Sequence, residues 1–363
     1  LVILAGVLRV YLVMPYPGSQ TNDTVAYAYY INKYIFFIRL FGLAAALGCI
    51  VSAVKRRRII DRLLIGALIV AYGTVFYYFN FKLEADKIFY LPTTNASIPA
   101  SQYGDKSKLV IGVVLNGEAK AYPIQQIGYH HQVRDSVGGT SIMITYCTVC
   151  RTGRVFSPVI NGKASNFRLV GMDHFNAVFE DETTQSWWQQ ATGKAVMGPL
   201  KGTTLKEYPS RQMTLEAWMR QYPSSLVMKP DPNFADNYFR LEDYDKGEMR
   251  SELVKRNRSS WQPKSWIIGV KGIEDSKAYD WNEVLDKQLV EDSLPELPLL
   301  IMIERDASSF HAYNRTVNGS VLHFIKEGND ESFYDTKTYS RWNVDGLCVE
   351  GAFKNERLLP VQA

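Results

Sequence analysis

The chain reads as an α+β protein, predominantly β. N-terminal transmembrane helices are followed by a duplicated, β-rich extracytoplasmic domain whose halves are expected to be related by a pseudo-twofold. Three observations predict this class. Apolar stretches crowd residues 1–80, β-branched runs punctuated by Asn-Gly turns follow, and several motifs return later in the same order. The expected division is an anchor over residues 1–80, a first repeat over 81–222, a linker over 223–263 and a second repeat over 264–363. A net charge of +4 on 363 residues gives no argument for nucleic acid.

The anchor rests on three apolar runs, over residues 1–14 (interrupted by Arg9), about 34–54 (with Arg39 near one end) and about 63–79. A span needs roughly 20 predominantly apolar residues. The second run qualifies, the third sits at the lower limit, and the first qualifies only as the remainder of a longer segment. An opening inside an apolar run without methionine fits that expectation. The last two are too long, and lack a cleavage pattern, to be a removed signal peptide. Lys55-Arg-Arg-Arg58 should hold the loop between them on the cytoplasmic side. Residues 15–33 and everything after Phe79 then face the periplasm of a bacterial inner membrane. Tyr77, Tyr78 and Phe79 would lie at the outer interface. Arg9 and Arg39 are expected to snorkel, or to pair with a partner subunit.

The repeat is carried by short motifs. Ile111-Gly-Val113 and Lys120-Ala-Tyr122 recur at the same offset as Ile268-Gly-Val270 and Lys277-Ala-Tyr279, with Glu118 and Glu274 out of register. Val159-Ile-Asn-Gly162 answers Thr316-Val-Asn-Gly319, and Ser186-Trp-Trp188 with Gly193 and Gly198 answers Ser340-Arg-Trp342 with Gly346 and Gly351. Two copies fit a packed pair rather than a solenoid. Strands are expected over 108–115, 118–122, 141–146, 154–160 and 165–170, with further short ones around Phe175, Phe179, Trp187 and Trp188. Short helices are expected over 124–130, over 213–222 with Thr214 as cap, and over 247–255.

Cys147 and Cys150 carry the chemistry. Three readings fit this Cys-x-x-Cys. One is a structural disulfide of an oxidising compartment. Another is a redox-active dithiol, although such pairs usually open a helix and these flanks read as strand. The third is a metal knuckle, completed by His131 and His174 into a Cys2His or Cys2His2 site for one zinc, copper or iron ion. Without such an ion no other cofactor is signalled, because phosphate loops, nucleophile elbows and dinucleotide fingerprints are missing from the sequence. The second repeat has Glu304-Arg-Asp-Ala-Ser-Ser309 at the corresponding place, which favours function in one copy and scaffolding in the other. Cys49 is expected to pack as a small hydrophobe and Cys348 to be buried and inert.

Together, His131-Gln-Val-Arg-Asp135, Gly138-Gly139, Thr145-Tyr-Cys-Thr-Val-Cys150 with Gly153, and Ser186-Trp-Trp-Gln189 with Gly193 resemble the bacterial DUF3179 family. The resemblance covers about residues 108–223, with a weaker echo over the second repeat. Thr148 and Arg151 stand where that family usually has proline and glycine. The resemblance implies that His131 belongs with Cys147 and Cys150, and it supplies no reaction. The expected function is a membrane-anchored periplasmic module for metal binding or thiol redox at Cys147 and Cys150, tuned by His131. The alternative is a non-catalytic accessory subunit of a larger membrane complex with a structural Cys147–Cys150 disulfide. Its expected partners are the lipid bilayer and other subunits of such a complex, without nucleic acid.

Overall fold

Helices α1 (Val2–Tyr11), α2 (Val25–Lys55) and α3 (Ile59–Phe81) take up the three apolar runs in the computed structural model, which describes residues 1–55, 58–272, 275–327 and 331–363. Arg56, Arg57 and Glu274, used in the loop-charge and repeat arguments, lie outside the described residues. The apolar part of α2 runs over 29 residues at mean hydropathy 2.2, and α3 over 23 residues at 1.9; neither is buried in its apolar window. Both are long and apolar enough to cross a bilayer. The ten residues of α1 are not. Helix α2 starts well before the expected 34 because its first turns are held by packing: Ala28 and Tyr29 are buried against Val170, Val178, Trp187 and Met197.

Arg9 and Arg39 both make hydrogen bonds inside the chain. Arg9 donates from Nε to Asn32 Oδ1 (2.8 Å) and from a terminal nitrogen to Asn80 Oδ1 (2.7 Å), and it pairs with Glu84. Arg39 donates to the same Asn80 oxygen at 2.9 Å and lies over the Phe76 ring. A charge met by hydrogen bonds within its own helices does not require another chain. Cys49 lies on an α2 face that the rest of the chain leaves uncovered, whereas Cys348 is buried as expected.

The described chain forms two compact units. One comprises Leu1–Pro92, Tyr129–Arg134 and Ile142–Glu207; the other comprises Thr93–Gly128, Asp135–Ser141 and Tyr208–Ala363. In the first, strands Phe167–Asp173, Asn176–Asp181, Trp187–Gln189 and Ala195–Met197 form a four-stranded antiparallel sheet in chain order. A core of Met143, Cys147, Phe156, Leu169, Phe179 and Trp188 fills this unit. The expected strand over 154–160 is broken into Thr152–Phe156 and Val159–Ile160, because Pro158 has no N–H to donate to a ladder.

In the second unit, Leu109–Leu115 and Glu118–Pro123 form the expected hairpin through Asn116 and Gly117, both at positive φ. They sit in a five-stranded sheet with Ser210–Thr214, Leu226–Met228 and Ser97–Pro99. Two further four-stranded sheets are built from residues 289–360. Helices Ile124–His130 and Leu215–Gln221 appear where expected, the latter capped by the Thr214 hydroxyl accepting from Ala217 N. Residues 247–255 form turns instead of a helix. Gly247 takes φ +73°, and its carbonyl accepts from Arg256 N, turning the chain back on itself.

Two turns share one hydrogen-bonding pattern. The Asp181 carboxylate accepts from Thr184 N (2.6 Å), Thr184 Oγ1 (2.7 Å), Ser186 N (3.2 Å) and Trp188 Nε1 (2.8 Å). The Asp335 carboxylate accepts from Thr338 N (2.7 Å), Thr338 Oγ1 (2.9 Å), Ser340 N (3.0 Å) and Trp342 Nε1 (3.2 Å). Both aspartates are fully buried, and a charge in that position persists only with such a set of donors.

Candidate functional site

Strand Thr140–Cys147 turns through Thr148–Arg151 into strand Thr152–Phe156, with Cys147 opposite Thr152 as the last pair of the ladder. Alternation along the strand faces Cys147 into the core, where it is fully buried. Cys150, at the far end of the turn, is exposed. Arg151 closes the turn at φ 52°, a left-handed conformation that disfavours any residue with a Cβ. The glycine usual at that position in the family it resembles would meet this demand without strain.

Both thiols aim at one acceptor. Cys147 Sγ donates to the Phe175 carbonyl at 3.5 Å and Cys150 Sγ donates to the same oxygen at 3.3 Å. Neighbouring thiols share protons, and the Cys150 thiol beside it, together with burial, pushes the Cys147 thiol well above its ordinary range. The buried sulfur therefore keeps its proton, and the exposed Cys150 is the one that an outside partner can reach. The two sulfurs are not bridged in the structure.

The acceptor itself sits in a strained turn. His174 (φ 49°) and Phe175 (φ 64°) are the two residues connecting strands Phe167–Asp173 and Asn176–Asp181, with Asp173 paired to Asn176. A two-residue hairpin of this type needs φ > 0 at both central positions, which is why Asn-Gly is usual there. Here a histidine and a phenylalanine accept it, at a cost of about 1–2 kcal/mol each. Two neutral amides brace the site from behind. Asn176 Nδ2 donates to Cys150 Sγ (3.5 Å) and to Gln190 Oε1 (3.2 Å). Gln190 Nε2 donates to Thr145 Oγ1 (3.1 Å) and to the Thr152 carbonyl (2.9 Å). Residues 12–23, between α1 and α2, close the other side. Gln20 Oε1 accepts from Phe175 N (3.3 Å), and Val13 O accepts from Met172 N (2.7 Å).

The expected four ligands are placed as follows. Cys147 and Cys150 come together. His131, at φ 61°, is buried against Phe89 (ring centroids 4.4 Å apart), and its Nδ1 meets the Tyr129 carbonyl at 3.1 Å. Its backbone carbonyl accepts from Tyr146 N (2.9 Å), the residue before Cys147. His174 is half exposed with both ring nitrogens facing carboxylates, Nδ1 to Asp173 (2.9 Å) and Nε2 to Asp23 (3.3 Å). Among the described residues, no three His, Cys, Asp or Glu side chains are grouped as a metal centre requires. Gln20, Phe175, Asn176 and Gln190 are the site residues that sequence reasoning missed. The first three have no ionisable signal and Gln190 only follows the noted Trp-Trp-Gln motif.

Burial lowers the His131 pKa from 6.5 to about 4. Unfolded, the imidazole takes up its proton near pH 6.5; folded, only near pH 4. Between these values the unfolded chain binds more protons, so stability falls as the pH drops through this window. The full shift corresponds to about 3 kcal/mol. The unfolding midpoint should therefore drop between pH 6.5 and 4, and His131→Gln should flatten that dependence. An unchanged slope in the variant would remove His131 as its source.

Nothing among curated proteins or solved structures matches the chain. The family model described as a protein of unknown function, DUF3179, matches residues 90–363, and the chain belongs to that family.

Proposed function

We propose that this chain is a membrane-anchored thiol-redox module, with Cys150 as the exposed attacking thiol and Cys147 as its buried partner. The observation that carries this reading is the convergence of two thiols, one exposed and one buried, on the single Phe175 carbonyl. An exposed entry sulfur beside a buried, proton-holding partner is the arrangement thiol–disulfide exchange uses. His131 supports the Cys147 strand through its backbone carbonyl. The bilayer is the partner of α2 and α3, and the basic loop at Lys55–Arg58 favours a bacterial inner membrane with the thiols on the periplasmic side.

The same reading takes the β-rich region as a duplication. The matched Asp181 and Asp335 turns support it. So do two Lys–Asp pairs, Lys120 with Asp135, which also accepts from Tyr122, and Lys277 with Asp292. Ile303 N donates to Gln288 O as Tyr146 N does to His131 O, which puts Glu304 in the place of Cys147. Glu304 is instead paired with His311 (2.7 Å) and Arg220, an arrangement that neutralises a buried charge. The copy without thiols thus supports function in the one that has them.

Metal coordination remains the rival, because two sulfurs converging on one oxygen can also converge on one soft ion, given a further donor. The full chain, purified anaerobically in detergent beside Cys147→Ser, separates the two. No stoichiometric ion, with the pair closing to a disulfide on mild oxidation, is the expected result. One ion per chain, lost in the variant, would replace redox with coordination. A pair already closed on purification and resistant to reduction would favour the accessory subunit with a structural disulfide.

A further inference from the structure

The Phe175 peptide unit is held from both sides. Its carbonyl accepts from both thiols, and its N–H donates to Gln20 of the α1–α2 connection. The same connection is also fixed three residues before Phe175, where Val13 O accepts from Met172 N at 2.7 Å. Gln20 is itself buried and pinned, with Nε2 donating to the Leu12 carbonyl at 3.1 Å. The hairpin between these contacts carries left-handed φ at two residues with side chains, a conformation that persists only when its surroundings over-determine it. Two of the bonds that over-determine it come from S–H groups.

From this we infer that the redox state of Cys147 and Cys150 controls how residues 12–23 dock on the His174–Phe175 hairpin, so that the dithiol signals its state to the helices flanking that connection. The inference rests on the dithiol reading above. In the exchange, the Cys150 thiolate attacks one sulfur of an external disulfide and one external thiolate leaves. The Cys147 thiolate then attacks Cys150, forming the intramolecular disulfide and releasing the second external thiolate. Two cysteine thiols are oxidised, one disulfide is reduced to two thiols, and the two protons pass to the released thiolates. A disulfide has no S–H to donate, so the Phe175 carbonyl loses both sulfur donors in this step. The strained turn then loses two of its restraints and relaxes, and the Gln20 contact on the same peptide unit loosens with it. Helices α1 and α2 meet at that connection, and the base of α2 shares a core with the sheet, where Tyr29 packs edge-to-face on Trp187 at 5.3 Å. Loosening at residue 20 is therefore felt at the start of α2.

The test is amide hydrogen exchange on the full chain in detergent micelles, after equilibration with reduced or with oxidised glutathione. Free thiols are counted in the same samples. The expected result is loss of two thiols on oxidation, with the Met172 and Phe175 amides exchanging at least about tenfold faster in the oxidised form. In the Cys147→Ser, Cys150→Ser double variant the two conditions should give the same exchange. In Gln20→Ala the Phe175 amide should exchange fast in both states. Loss of two thiols with both amides unchanged would overturn the coupling and leave the dithiol reading standing. Four free thiols under both conditions would overturn the dithiol reading, and the coupling with it.

Discussion

Cys150→Ser should slow reaction of the pair with a small aromatic disulfide on the order of a hundredfold, whereas Cys147→Ser should retain the first step and stall after it. The difference follows from position. Cys150 is exposed and Cys147 is buried with its thiol held protonated by its neighbour and by burial. Without Cys150 the remaining sulfur is inaccessible and in the wrong protonation state. Without Cys147 the exposed thiolate still attacks, but nothing displaces the adduct, so a mixed disulfide accumulates at Cys150. Both variants belong in a Cys49→Ser background, because Cys49 is another cysteine that the rest of the chain leaves uncovered. Mass analysis of the adduct reads the outcome. Equal loss in both variants, with no trapped adduct, would contradict the division of roles.

Gly171→Ala should be the most damaging single methyl addition near the site. Gly171 lies at φ +147°, and an added Cβ would sit 2.1 Å from the Val13 carbonyl oxygen and 2.9 Å from its carbon. That carbonyl is the one accepting from Met172 N, so the methyl cannot be accommodated without pushing the α1–α2 connection off the strand. The expected loss is roughly 2–4 kcal/mol, combining backbone strain with a steric clash against main chain. Gly139→Ala is the control. It has φ +73° but nothing within 4 Å of the added carbon, so it carries strain without the clash and should cost about 1 kcal/mol. Thermal unfolding of both variants in detergent checks this. A Gly171→Ala midpoint no lower than that of Gly139→Ala would show that the connection does not press on the strand.

Local structure was legible in the sequence where the signal is itself local. The Asn116-Gly117 hairpin, the helix over Ile124–His130 and the Thr214 cap follow from turn chemistry, periodicity and capping over a few residues. The strand over 154–160 was overread because β-branched content masked Pro158, and the helix over 247–255 because propensity could not foresee Gly247 in a left-handed turn. At the site, spacing alone brought Cys147 and Cys150 forward. His174 was chosen for its nearness in sequence, but it lies at a hairpin tip facing Asp173 and Asp23. The group both thiols address is a backbone carbonyl, which no residue type announces. Gln20 reaches that peptide from 155 positions away, a distance over which no pattern in one sequence speaks. The single arginine at 151, in place of a glycine, was visible as a departure, and its left-handed φ gives the departure a physical meaning.

A thiol-redox module requires Cys147 and Cys150 to interconvert reversibly between dithiol and disulfide. Equilibrating the full chain across a series of reduced-to-oxidised glutathione ratios, followed by acid quench and alkylation of free thiols, measures this directly. The expected result is a reversible two-electron titration of this pair alone, with a midpoint between about −300 and −120 mV, the range in which exchanging protein dithiols fall. A pair that stays reduced at the most oxidising ratio, or stays closed at the most reducing one, would contradict it.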